Sequence, residues 1–225
     1  LAEQAQEAVP LHTAVADAAT GVTLALREGG PYAVSRVLRP EDPLTPAAVR
    51  VLGADTLVPY TLGHGPAGDD GPLVRQALAA YPPTAGSAVS AWSHHGLAQA
   101  ARTLLPGPWP AGGEPDTDWT ARETWPRLSH QVSQLASLAT PGLAPALEAR
   151  LAERTVDLSR GFVRAVRRRD WLQAAGVGRW LARLPGVPDS LGLDAGLVFV
   201  AHWGAADPRV VLQVEAARRL FGTGR

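Results

Sequence analysis

The chain has 225 residues, with 21 arginines matched by 21 acidic residues and no Cys, Met, Lys, Ile or Asn. This composition excludes disulfides, thiolate metal sites, a thiol nucleophile and a Lys-dependent P-loop. It also points to the GC-rich coding of a GC-rich bacterium, because Ile, Lys and Asn share A/T-rich codons, so the abundance of Ala, Gly, Pro and Arg carries little structural weight.

The N-terminal third admits two readings. Val22, Leu24 and Leu26 alternate, and Glu28-Gly-Gly-Pro31 can turn the chain back into Tyr32 and Val34, which fits a small β-hairpin near residues 21–38. The preferred reading is two helices broken at Gly29-Gly30. With Leu1 rather than Met at the start, a trimmed or processed chain is expected, and residues 1–30 do not resemble a targeting peptide. Further on, Gly63-His-Gly-Pro-Ala-Gly68 spells G-x-G-x-x-G after the apolar run Leu57 to Leu62. Pro59, Pro66 and Asp69-Asp70 all oppose dinucleotide binding there, and a surface turn is the expectation. A cation shell at Asp69-Asp70 needs a second carboxylate cluster, and nothing in the spacing ties the one dense candidate, Glu114, Asp116 and Asp118, to it, so solvated caps and turns are the expectation. Pro72 to Tyr81 and Ser87 to Leu105 read as helices.

Pro106-Gly-Pro-Trp-Pro-Ala-Gly-Gly-Glu-Pro115 cannot continue a helix or a central strand. A single domain over 1–225 is expected, with a subdivision into 1–105 and 117–225 across the loop 106–116 as the alternative. Trp109 favours an ordered loop over a free linker.

The second half reads as helices. Leu128, Val132 and Leu135 mark one after Pro126. Leu143, Leu147, Leu151, Leu158, Phe162 and Val166 form one apolar face of another, with Gly161 as its weak point. Asp170 caps the next, which Pro185-Gly186 stops, and Asp207-Pro208 and Gly222 bound the last. Leu191 to Trp203, apolar nearly all round, is expected to be the buried central helix. No apolar run reaches the roughly 20 residues that span a bilayer, so a soluble, cytoplasmic protein with no membrane contact is expected. The fold class is mainly α, an irregular helical bundle or short helical stack.

Charge is unevenly spread: nine Arg face four acids between Pro141 and Pro185, against six Arg and nine acids up to Leu105. Arg160, Arg164, Arg167 and Arg168, with Trp171 nearby, are therefore the candidate binding residues, since guanidinium groups pair with carboxylates or phosphates bidentately. A peptide or protein partner is the preferred occupant. Nucleic acid is disfavoured, because total charge is zero and no nucleic-acid-binding motif appears. The preferred function is a binding or accessory protein that docks a partner through this Arg-rich face and an aromatic groove. The alternative is a small enzyme that binds a small molecule in an apolar helical pocket, with His94 or His95 as general acid or base. Adjacent residues on a helix diverge by about 100°, so His94 and His95 do not share a metal, and neither a metal nor a cofactor is expected.

Overall fold

The computed structural model describes residues 10–65 and 68–222. Its first helix, α1 (Leu11–Glu28), runs through the segment where a hairpin competed. Ala14, Val15, Ala18, Ala19, Val22 and Leu26 are buried along one side, whereas Leu24 faces solvent. The apparent alternation of Val22, Leu24 and Leu26 is thus an i, i+4 pair with an exposed residue between, and no hairpin forms. Gly29 and Gly30, at φ 74° and 91°, end the helix. An isolated bridge, in which Tyr32 N donates to Gly65 O at 3.2 Å, is the nearest approach to β-structure here.

Short elements follow: α2 (Val34–Val37), α3 (Thr45–Leu52), a 3-10 turn over Gly53–Leu57 and α4 (Val58–Thr61). Then come α5 (Gly71–Ala80) and α6 (Ala88–Leu104), the latter capped by the Ser87 hydroxyl accepting from Ser90 N. With α1 these helices enclose a first core that includes Val22, Leu26, Val49, Leu57, Val74 and Leu97. Segment 106–116 is an ordered loop. Arg75 stacks 5.0 Å from the Trp109 ring, Arg102 Nη1 donates to Pro110 O at 2.8 Å, and Trp92 Nε1 donates to Asp116 O at 3.0 Å.

The second half contains α7 (Trp119–Arg122), α8 (Trp125–Gln134), a 3-10 turn over Ala136–Ala139, α9 (Pro145–Ala152) and α10 (Thr155–Arg167). The long helix expected from Leu143 to Val166 is divided at Glu153-Arg154, not at Gly161. Arg154 takes a non-helical φ of −117° and is anchored there, donating to Asp157, Thr120 O and Glu123 O. Gly161 stays helical because α10 crosses α8 closely at that point. A Cβ on Gly161 would meet Ser129 Oγ at 2.0 Å.

Next come α11 (Trp171–Arg183), a 3-10 turn over Asp189–Leu191, α12 (Leu193–Trp203) and α13 (Pro208–Phe221). Asp170 and Asp207 cap α11 and α13, accepting from Gln173 N and Arg209 N. The central helix is α11, buried from Ala174 through Leu181, and not α12. In α12 only Leu197 and Val200 are buried, while Val198, Phe199 and Trp203 are 53%, 46% and 58% exposed. Gly176 and Gly178 explain why α11 won the centre: they let Ser133 of α8 and Leu197 of α12 approach its axis. A side chain at Gly176 would lie 2.6 Å from Ser133 O.

The second core gathers Trp92, Leu128, Leu147, Leu158, Trp180 and Val200. Helix α13 joins the two halves, giving Leu212 and Ala216 to the first core and Val210, Val214 and Ala217 to the second. Helix α6 does the same with Leu97 and Trp92. The structure is therefore an irregular, all-helical assembly, with no strand among the described residues.

Candidate functional site

Helix α10 turns Leu158, Ser159, Phe162 and Ala165 inward, leaving Val156, Arg160, Val163, Arg164 and Arg167 outward. The outward face borders a groove of about 720 Å³, closed on its flanks by Trp125 and by Pro188, Ser190 and Leu191. Arg160, Arg164, Arg167 and Arg168 all line it. Four of the five residues singled out for binding thus converge on one surface. Arg164 lies 5.6 Å from the Trp125 ring centroid, a cation–π contact that holds the guanidinium at the rim. Among the described residues Arg160 alone of the four is ion-paired, to Asp157 at 3.4 Å.

Trp171 is placed elsewhere. Its ring stands edge-on to Phe199 at 5.9 Å, and Phe199 continues to Trp203 at 6.0 Å. The turn after α10 causes this separation. Arg169 adopts a left-handed φ of 58°, Arg169 N donates to Val166 O and Asp170 N donates to Ala165 O, so the chain reverses before α11 begins. Trp125, which carried no binding assignment in the sequence, supplies the groove's aromatic wall.

His94 and His95 diverge on α6. His94 Nε2 lies 3.4 Å from Leu78 O, and the His95 ring stands edge-on to Trp92 at 5.6 Å. Burial lowers the pKa of His94 and the Arg50 charge lowers it further, against the pull of the Leu78 carbonyl. Burial also lowers that of His95, with Glu114 opposing. Neither lines the Arg groove or the polar cleft described next.

That cleft, of about 730 Å³, lies between α3 and α6 on one side and α8, α11 and α13 on the other. Its floor is a buried ionic cluster that no sequence pattern announced. Arg179, fully buried on α11, donates from Nη1 to Asp55 Oδ1 at 2.6 Å and to Gln213 Oε1 at 2.7 Å. Its Nη2 donates to Thr140 Oγ1 at 2.9 Å, and Gln213 Nε2 donates to Asp55 Oδ2 at 2.6 Å. Asp55 and Arg179 are 124 positions apart in the chain. The available signal was an Arg flanked by Gly178 and Trp180 in the otherwise uncharged run Ala174–Leu181.

The Gly63–Gly68 turn does not follow a strand: Leu57 to Leu62 forms helical turns instead, and Pro66 and Ala67 lie outside the described residues. Asp70 is a buried structural anchor. Its carboxylate accepts from Val34 N, Ser35 N, Ser35 Oγ and the Tyr60 hydroxyl, between 2.7 and 3.0 Å. Burial first, and then the Asp70 charge, raise the Tyr60 pKa. Among the described residues no three His, Asp or Glu side chains come together as a metal site, and no helix is long and apolar enough to cross a membrane. Compared with known proteins, the chain matches no family model, no curated protein and no solved structure.

Proposed function

We propose that this is a binding protein that docks an acidic, partly apolar segment of a partner protein in the α10 groove. The observation that carries the reading is the convergence of Arg160, Arg164, Arg167 and Arg168 around exposed Val156 and Val163 beside Trp125. Arg164, Arg167 and Arg168, which have no counter-ion among the described residues, stand over an apolar floor and complement a chain that alternates carboxylates with aliphatic side chains. The carboxylates meet guanidinium forks, and the aliphatic groups cover the valines. Single-stranded or duplex nucleic acid fits less well, because the chain carries no net charge and the groove floor is apolar.

Fluorescence anisotropy with a labelled peptide of alternating Glu and Leu tests the reading. Each exposed charge contact contributes about 0.2–1 kcal/mol, so Arg164→Ala/Arg167→Ala/Arg168→Ala weakens binding roughly tenfold. Raising NaCl weakens the wild type in the same direction, and Arg36→Ala, remote from the groove, leaves it unchanged. Equal affinities for the wild type and the triple variant would remove the groove from consideration.

A further inference from the structure

The polar cleft has a different chemistry from the α10 groove and an independent argument. Arg50 lines it from α3 and is held by three neutral oxygens: Tyr81 O accepts from Nε at 3.2 Å, Ser93 Oγ from Nη1 at 2.7 Å and Ser90 O from Nη2 at 3.2 Å. Among the described residues no carboxylate lies within 4.0 Å of it. A guanidinium has five N–H donors, so one remains on each terminal nitrogen. Arg50 is therefore a half-buried cation, fixed in position, with a two-pronged donor set and no counter-ion. Its pKa is lowered by desolvation, as expected of a cation lacking an anionic partner.

The other charges on the cleft are accounted for locally. Arg209 is closed on Asp207 by two contacts of 3.0 and 2.7 Å, and Asp55 is neutralised by Arg179. Asp170, on the α11 side, accepts from Gln173 N and keeps a ligand's negative end away from that wall. The remaining lining is dominated by Ser and Gln, which offer neutral donors and acceptors.

Between Arg50 and Asp55 the chain passes through Gly53, at φ 58°. A Cβ built there would lie 3.5 Å from Ser137 Oγ and 3.7 Å from Ser93 Oγ. Ser137 and Ser93, both on the cleft wall, thus approach each other's side of the cleft at this glycine. Ser93 accepts from Arg50 and keeps its own proton to donate.

We propose that the cleft binds a small organic carboxylate carrying several hydroxyl groups, with Arg50 gripping the carboxylate and Ser93 and Ser137 meeting the hydroxyls. A volume near 730 Å³ is in the usual range for a small-molecule site. Arg50 gives the site its charge selectivity, and the neutral lining gives it a preference for polyols over bare anions.

Titration calorimetry of the full chain with sodium gluconate, glucose and inorganic phosphate tests this. Gluconate is expected to bind saturably, with glucose and phosphate each at least tenfold weaker. Arg50→Gln is expected to reduce gluconate to the level of glucose. Because Arg50 also ties α3 to α6, Ser137→Leu provides a second variant. Its hydroxyl makes no side-chain hydrogen bond among the described residues, and the larger side chain narrows the cleft beside Ser93. Loss of gluconate binding with an unchanged melting temperature would place the ligand there. The Arg164/Arg167/Arg168 triple variant retains gluconate binding, which separates this site from the α10 groove. The proposal is overturned if gluconate fails to saturate the wild type, if glucose or phosphate binds as tightly, or if folded Ser137→Leu binds as well as wild type.

Discussion

Arg179 illustrates what a single buried charge demands. Its guanidinium is removed from water, and the cost is offset only because Asp55, Gln213 and Thr140 all accept from it. Removing one partner leaves the other stranded, so Arg179→Met is expected to cost about 3–5 kcal/mol in urea unfolding. Arg179→Met/Asp55→Leu should recover at least half of that loss, because it exchanges an ion pair for apolar contact. If the double variant is as unstable as the single, Arg179 acts through shape and not through charge. Residues on the α10 rim obey the opposite arithmetic. Arg164, Arg167 and Arg168 are hydrated, so their removal alters what the surface attracts and leaves the core alone.

At the scale of elements, close approach decides which helix occupies the centre. Helix α12 has the more apolar composition, yet α11 is buried because Gly176 and Gly178 remove the side chains that would hold its neighbours away. In an exposed helix Gly→Ala gains roughly 1 kcal/mol of helix propensity. At Gly176 the new methyl group meets backbone atoms of Ser133 at 2.6 to 3.2 Å, and backbone cannot swing aside as a side-chain tip can. Overpacking of this kind costs about 1–3 kcal/mol. Gly176→Ala is therefore expected to lower the melting temperature despite its better propensity, and a raised one would show that α8 yields. The apolar stripe expected to bury α12 instead leaves Val198, Phe199 and Trp203 at the surface, since α11 and α13 cover only its Leu197–Val200 side.

For the whole molecule, the two cores are tied through α13, and acid acts on that tie. Glu215 on α13 is partly desolvated, but its contacts with Arg219 at 2.9 Å and Arg27 of α1 at 3.2 Å prevail and lower its pKa. Burial likewise opposes, and Arg209 outweighs, in lowering that of Asp207. A depressed carboxylate pKa gives stability that is present above the unfolded value and is lost as pH falls through the folded one. His94 and His95 are also depressed, by burial, so the unfolded chain takes up their protons first. Their penalty begins below about pH 6.5. Thermal stability should therefore decline in two stages on acidification, first with the histidines and later with the carboxylates. His94→Gln/His95→Gln should flatten the first stage only. An unchanged first stage in that variant would assign it to other groups.

Helix boundaries were legible wherever a local device sets them. Asp170, Asp207-Pro208, Gly29-Gly30 and Gly222 act on the backbone within a few residues, and no distant contact is needed to read them. The same holds for the Arg side of α10, because residues three and four apart share a helix face whatever surrounds it. Composition alone also determined that neither thiol chemistry nor disulfides are available. The tertiary structure decided the remainder. It separated Trp171 from the arginines, brought Trp125 to them, and exchanged the places of α11 and α12. It also assembled the Arg50 and Asp55–Arg179 cleft from segments as far apart as residues 50 and 213. These are matters of which surfaces approach closely in space, and hydrophobic periodicity reports only which side of an element is apolar.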